Sequence, residues 1–400
     1  MALTTESGLK HVRAFVNRGS RDLRLLAIST MLMSFGFGAY NATFNNFAVQ
    51  SLGITPRQLG ILEAFRETPG FFMVVIAGLT MTIAEPLLAS AALLLVAIGL
   101  SAYKISDSYA SLVIYSVIWS VGLHAWMAIQ PSMTLNLANK HNRGRRLGQI
   151  GSFGALGMIL GMLMVFWWGK TIGFRNVFVV AGVFIAMGAV FVSRISKDIG
   201  HAEKPKFVFK RRYLLYYCLT FLEGCRKQIF ITFAIFAMVR NYHTPVHVVA
   251  LLMILNNIVN LVLTPPIGRL IDRVGERKVL AICYAALIPV FLGYAFIKIP
   301  LVLYMLYCLD NLFYIGSMGS TTYLHKIADP EDVMPSIAAG ISINHGAAVA
   351  VPLIGGLLWA KLGYSATFFG GAVVVAISLL TVLQMKLPVR VREMEPALVE

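Results

Sequence analysis

Residues 212–240 read RYLLYYCLTFLEGCRKQIFITFAIFAMVR. This is an apolar run bounded by Arg212 and Arg240, with Glu223, Arg226 and Lys227 in its middle. At about 1.5 Å per residue, a helix of this length crosses the roughly 30 Å of a bilayer's hydrocarbon core. Arg226 stands fourteen residues from either bounding arginine, near the midplane. A charged side chain there costs about 2.5–3.5 kcal/mol on insertion scales, so it faces a bundle interior or a water-filled path and finds a partner there. Glu223 and Lys227 have the i,i+4 spacing that allows pairing on one helix face. Glu63, Arg66 and Glu67 form a second cluster, shallower because it follows Pro56 by only seven to eleven residues. Both clusters point to a polar cavity inside a membrane protein.

The rest of the chain carries the same signature. Of its 400 residues, 58% are hydrophobic and 13% charged, and the mean hydropathy is +0.75. A soluble domain carries about 25% charged residues. Apolar stretches recur at roughly 23–50, 57–83, 86–103, 108–138, 146–168, 174–194, 212–240, 246–270, 277–297, 300–326, 333–360 and 364–387. They predict an all-α membrane protein with twelve transmembrane helices and the lipid bilayer as its surroundings. The net charge of +16 is a matter of topology, not of nucleic-acid binding. With the N-terminus inside and the sides alternating, 24 of the 34 lysines and arginines fall inside and 7 outside, and Arg66, Arg226 and Lys227 lie within the membrane. That bias predicts cytoplasmic termini. The first twenty residues, MALTTESGLKHVRAFVNRGS, lack the apolar core of a signal peptide. Cys218, Cys225, Cys283 and Cys308 sit in apolar stretches with no pairing or metal-ligand spacing.

The longest polar break, residues 196–212, reads SKDIGHAEKPKFVFKRR and divides six helices from six. Thr55-Pro56 matches Thr244-Pro245, and the run from Leu112 to Tyr115 matches that from Leu301 to Tyr304, both at an offset of 189. Trp168 and Lys170 resemble Trp359 and Lys361 at an offset near 190. The register predicts two duplicated halves related by an axis along the membrane normal. The expected organisation is a cytoplasmic N-terminal segment (1–22), a six-helix bundle (23–194), a cytoplasmic linker (195–211), a second bundle (212–387) and a cytoplasmic tail (388–400).

Residues 268–278, GRLIDRVGERK, resemble the loop motif G-x-x-x-D-R-x-G-R-[RK] of the major facilitator superfamily, and the resemblance extends over about residues 22–387. It implies two six-helix pseudo-repeats, transport by alternating access, and a central cavity lined by helices one, four, seven and ten. It also implies that the loop of Gly268, Asp272, Arg273, Gly275 and Arg277 gates the rocking of the halves, with Asp272 bonded to neighbouring helix ends and both arginines bridging helices. The equivalent first-half loop, 79–86 (LTMTIAEP), lacks the motif. Helix four lacks the family's proton-relay arginine motif, and helix five lacks its Gly-Pro antiporter motif. Gly148, Gly151, Gly154, Gly157 and Gly161 of helix five are expected to pack at the rocking interface.

Asp310 and Asn311 lie about as deep in helix ten as Arg226 does in helix seven, so the resemblance brings Arg226, Lys227, Glu223 and Asp310 together. At the 189 offset the first half has Ser34, Phe37, Gly38, Val121 and Gly122 in their places. The duplicated fold therefore does not itself require these charges. They serve substrate or proton handling, or else form a permanent ion-pair cluster. Arg66 is within reach of both Glu63 and Glu67, giving an ion triad or an outer gate. Asn41, Asn45, Asn256 and Asn311 are candidate substrate contacts, although interhelical hydrogen bonding also accounts for asparagines such as Asn256, Asn257 and Asn260. Tyr307 and Tyr314 share the Asp310 face, and with Trp119 and Trp126 they line a cavity or pack as core. His124 and His345 either titrate, between about pH 5 and 8, or pack through hydrogen bonds. Neither is spaced for a metal site, and no cofactor is expected.

The expected function is secondary active transport of a small polar solute at a bacterial inner (plasma) membrane, by a monomer with no enzymatic activity. The substrate set is Arg226, Lys227, Asn41, Asn45, Arg66, Asn256, Asn311, Tyr307, Tyr314 and His124. The proton-coupling set is Glu223, Asp310, Glu67 and His345. One excess acid in the membrane points to proton-coupled symport of an organic anion. The alternatives are a proton-coupled exporter of cationic or amphiphilic compounds and a transporter-like receptor that moves nothing.

Overall fold

The structure, a computed structural model, describes residues 3–72, 83–139, 142–196 and 209–386; the side chains of residues 3–20 and 330 are not among those described. The helices are α1 (Leu3–Gln50), α2 (Pro56–Phe71), α3 (Glu85–Ser101), α4 (Tyr109–Asn136), α5 (Arg143–Ile172) and α6 (Phe174–Val192). They continue as α7 (Leu214–Tyr242), α8 (Val246–Val274), α9 (Glu276–Phe296), α10 (Pro300–Ile327), α11 (Pro330–Leu362) and α12 (Tyr364–Val382). Among the described residues, ten helices are long and apolar enough to cross a membrane. Of the other two, α2 is described over only 16 residues, and α7 carries Glu223, Arg226 and Lys227.

Local chemistry sets the boundaries. Pro56 opens α2, where its missing N–H costs nothing. Thr55 caps that helix reciprocally with Gln58: the Gln58 N–H donates to Thr55 Oγ1, and the Thr55 N–H donates to Gln58 Oε1. The apolar span of α1, Arg21–Gln50, agrees with the expected 23–50, and the helix continues ahead of it back to Leu3, with no proline interrupting residues 3–50. Within its expected span α10 tightens into a 3-10 turn at Ile315–Ser317. The later part of the expected span 57–83, together with residues 79–82 of the first-half loop, lies outside the described residues.

The duplication is visible in the turns. Gly173, between α5 and α6, has φ 79° and donates its N–H to Gly169 O. Gly363, 190 residues on and between α11 and α12, has φ 84° and donates to Trp359 O. Only glycine adopts such a φ without strain. The contacts group α1 with α5 and α6, α3 with α4 and α6, α7 with α11 and α12, and α9 with α12.

The two groups meet chiefly where α2 packs on α11 and α5 on α8. Gly60 and Gly356 allow the α2–α11 approach: a Cβ at Gly60 would strike the Pro352 carbonyl, and one at Gly356 the Pro56 carbonyl. Nearby, Asn46 donates to Thr244 O at 2.8 Å and Arg240 to Ile54 O at 2.8 Å. This seam lies at the end of the bundle where α1 and α7 finish. The expectation for the helix-five glycines is corrected. Gly157 and Gly161 lie against the Met31 and Phe35 carbonyls of α1, within the first group, and Gly148 and Gly151 face open space. Instead, α5 meets α8 through Met162, whose sulfur receives the Asn257 amide at 3.7 Å.

The expected gating contacts are also corrected. Gly275 turns the chain with φ 93° and Gly268 faces Met318. Asp272, Arg273 and Arg277, however, are exposed and make no ion pair among the described residues. The buried acid beside them forms the contact, with Glu276 Oε1 2.6 Å from Lys326 Nζ on α10. In the first half Glu85 accepts hydrogen bonds from Ser132 (2.6 Å) and Asn136 (3.2 Å) on α4. Glu85 and Glu276 both open their helices, and Asn136 and Lys326 are 190 residues apart, so the duplicated fold repeats this brace. The start of α7 is fastened to the start of α11 by Lys210 and Arg212, which lie 2.6 and 2.8 Å from Asp332. The hydrogen bond to that carboxylate raises the Lys210 ammonium above its ordinary pKa.

Candidate functional site

Between the two groups lies a cavity of about 1000 Å³, lined by α1, α2, α4, α7, α8, α10 and α11. It extends from mid-depth towards the end at which α7 begins, where Tyr216 and Thr321 line it. A second cavity of about 370 Å³ adjoins it on the side of the α2–α11 seam, lined by Asn45, Ile235 and Met253. Asn41, Glu63, Arg66, Lys227, Ile231, Asn260 and Tyr314 border both, forming a waist.

Helices seven and ten meet as expected at one pair. Arg226 Nη1 donates to Asp310 Oδ1 at 2.7 Å, with 1% and 7% of the two residues exposed. The Arg226 guanidinium also lies 5.0 Å from the Tyr314 ring centroid, a cation–π distance. The expected Glu223–Lys227 pair is not formed. Both residues line the large cavity, but Lys227 Nζ points over Tyr314 at 6.0 Å, and Glu223 Oε1 is buried with no hydrogen-bond partner among the described residues. The i,i+4 spacing permits the pairing, but Tyr314 of α10 offers the ammonium another surface.

The shallow cluster divides. Arg66 pairs with Glu63, and its guanidinium lies 4.6 Å from the Trp119 ring and 5.0 Å from that of Phe44. The expected Arg66–Glu67 contact is absent because Glu67 turns to the other half of the molecule. Glu67 Oε2 lies 3.2 Å from His345 Nδ1 on α11 and 3.9 Å from His124 Nε2 on α4. The two imidazoles stand 5.3 Å apart, edge to face. His124 Nδ1 is fixed by the Ser120 carbonyl at 2.9 Å.

Asn41 borders both cavities, while Asn45, Asn256, Tyr307 and Asn311 line only the smaller one. Asn311 is held by the Asn260 side chain at 3.0 Å and the Asn256 carbonyl at 3.3 Å, so the asparagines also serve packing between α8 and α10. Tyr307 stacks on Phe230 at 5.9 Å. Trp119 lines the large cavity, whereas Trp126 is core. Sequence reasoning missed Tyr216, Thr220, Ser317 and Asn344, all in the large cavity wall. A signal existed for the first two: Tyr216, Thr220, Glu223 and Lys227 are spaced 4, 3 and 4, one stripe of a helix.

The sequence signature of the Major Facilitator Superfamily matches residues 26–221 and again 213–398. The chain belongs to the major facilitator superfamily. It is therefore a multi-pass membrane transporter and not an enzyme, and the family supports secondary transport. Solved structures of the same fold include the nucleoside transporter NupG, with 15% identity and a TM-score of 0.74 over 91% of this chain and 100% of that one. A bacterial homologue of the human lysosomal transporter Spinster, in an inward-facing and occupied conformation, has 12% identity and a TM-score of 0.72 over 93% and 96%. The peptide transporter POT in complex with sulfate has 14% identity and a TM-score of 0.73 over 91% and 94%. Among curated proteins none matches the sequence. In this superfamily member both halves bring charge to the waist, Glu63 and Arg66 from the first and Lys227 from the second, while Arg226 and Asp310 of the second half line the smaller cavity beside it.

Proposed function

We propose that the chain is a proton-coupled symporter of a small organic anion, working by alternating access with both termini in the cytoplasm. The observation that carries this reading is the separation of Glu223 from Lys227. An acid and a base one turn apart line the same cavity without forming an ion pair, and Glu223 Oε1 has no hydrogen-bond partner among the described residues. Protonating Glu223 removes a negative charge near Lys227 and strengthens that ammonium's attraction for an incoming anion. Releasing the proton reverses the effect. Cargo and proton then favour each other's binding, as linkage requires. Arg226 and Asp310 hold the neighbouring wall, and Arg66, backed by Trp119, borders the waist. The positive-inside bias supports placing the large cavity's open side towards the cytoplasm and the α2–α11 seam towards the outside.

One observation favours a second reading, export of a cationic or amphiphilic compound. The large cavity holds Glu63, Glu67 and Glu223 against Arg66 and Lys227, beside the rings of Phe37, Trp119 and Tyr314. The experiment is uptake into liposomes of purified protein under an imposed pH gradient, with the membrane potential clamped and a panel of labelled anions and cations. Symport predicts anion accumulation down the proton gradient. Flux indifferent to that gradient removes proton coupling, cation efflux selects the second reading, and ligand binding without any flux selects a receptor.

A further inference from the structure

We propose that Glu67, His124 and His345 form a binding site for a divalent transition-metal ion of the zinc class, and that the ion pins the two halves in the conformation described here. The ligands come from α2 and α4 of the first half and α11 of the second, so no sequence spacing reveals the site. One ligand atom from each residue lies within 4.8 Å of the others. Bonds of 2.0–2.2 Å in a tetrahedron put ligand atoms about 3.3 Å apart. The Glu67–His345 edge, at 3.2 Å, already has that length. The Glu67–His124 edge, at 3.9 Å, and the histidine–histidine edge close by side-chain rotation. Two imidazoles and one carboxylate suit zinc and its neighbours, not magnesium or calcium, which prefer all-oxygen shells.

Two further features fit. His124 Nδ1 lies 2.9 Å from Ser120 O, which can only accept, and 3.1 Å from the Ser120 hydroxyl, whose own proton goes to the Arg66 carbonyl, so Nδ1 carries the proton. Its Nε2 lone pair then points towards Glu67, the arrangement in which protein carbonyls orient metal-binding histidines. Gly70, one turn after Glu67, supplies the room: a Cβ there would lie 2.6 Å from His124 Nε2 and 2.8 Å from His345 Cε1. All three ligands line the large cavity, so an ion reaches them through water and keeps its remaining coordination positions open. Opening the α2–α11 seam moves Glu67 and His124 away from His345, so a bound ion opposes that motion and inhibits transport reversibly.

The test is Co2+ titration of the purified full-length chain, with any affinity tag removed, followed by visible d–d absorption. One saturable Co2+ per chain, displaced by Zn2+, is expected. Glu67→Gln, His124→Asn and His345→Ala should each weaken it at least about tenfold, and His325→Ala, at a histidine outside the site, should not. His345→Cys keeps a ligand and should restore binding with a sulfur-to-cobalt charge-transfer band, which separates lost ligation from lost folding. Hydrogen exchange along α2 and α11 should slow with Zn2+ in the wild type and not in His345→Ala. Absence of a saturable band at millimolar Co2+, or a band unchanged in all three variants, overturns the site. Binding without slowed exchange overturns the pinning. None of these readouts depends on transport being proton-coupled.

Discussion

The guanidinium of Arg226 and the carboxylate of Asp310 meet at 2.7 Å, 84 residues apart in sequence and both buried. The pair ties α7 to α10 at the wall of the smaller cavity. Removing one partner of a buried pair strands the other charge and costs about 3–5 kcal/mol, whereas replacing both by apolar residues of similar size is often neutral. Arg226→Ala is expected to abolish uptake and lower the thermal midpoint in detergent. Arg226→Met with Asp310→Leu is expected to recover the midpoint but not uptake. Wild-type uptake by the double variant would show that the pair is structural only.

What was legible in the sequence follows from what each signal rests on. Arg226–Asp310 was legible because a midplane charge demands a partner and few deep acids exist. The twelve helices were legible from apolar length alone, and the duplication from repeat register, although the left-handed turns at Gly173 and Gly363 came only with the structure. The contact of Glu67 was not legible because two partners compete for one carboxylate: Arg66 lies one residue away in sequence, but His345 is 278 residues away and arrives only when the halves pack. Glu276, not Asp272, makes the loop's contact for a similar reason. Burial of a helix's first residue depends on what lies across from it, here Lys326 of α10, and a motif match carries no such information.

Topology is tested by labelling. In a background lacking Cys218, Cys225, Cys283 and Cys308, single cysteines at His201 and Lys104 are expected to react from opposite sides with an impermeant thiol reagent. The basis is the 24-to-7 distribution of basic residues. Reaction of both from outside in intact cells would reject the assigned orientation.

The α2–α11 seam depends on the absence of side chains at Gly60 and Gly356. A leucine at Gly60 must displace the Pro352 backbone, and overpacking at a close helix contact costs about 1–3 kcal/mol. Thr244 is fully buried beside this seam. In the same cysteine-free background, Thr244→Cys should be modified slowly, and several-fold faster once Gly60→Leu is added. The combined variant should also have lost uptake. Equal modification rates would mean that the seam does not close the path.

Glu223 decides the coupling reading. It lines the large cavity with one oxygen that has no hydrogen-bond partner among the described residues, and Lys227, one turn on, lies over Tyr314 instead. Glutamine keeps the volume and removes the titration. Glu223→Gln mimics the protonated state permanently, so anion binding should persist while coupling to the gradient fails. The variant is expected to exchange labelled for unlabelled substrate at a rate near wild type yet to accumulate none when a pH gradient is imposed. Lys227→Gln should have the opposite profile, with KM for the anion raised about tenfold or more, since a hydrogen bond to a charged group contributes about 1.5–3 kcal/mol. Both are measured in the same liposomes, and thermal midpoints confirm that the variants are folded. Gradient-driven accumulation by Glu223→Gln at the wild-type level would remove this residue as the proton carrier. Asp310→Asn, which keeps a hydrogen-bond acceptor for Arg226, would then be the next variant to measure.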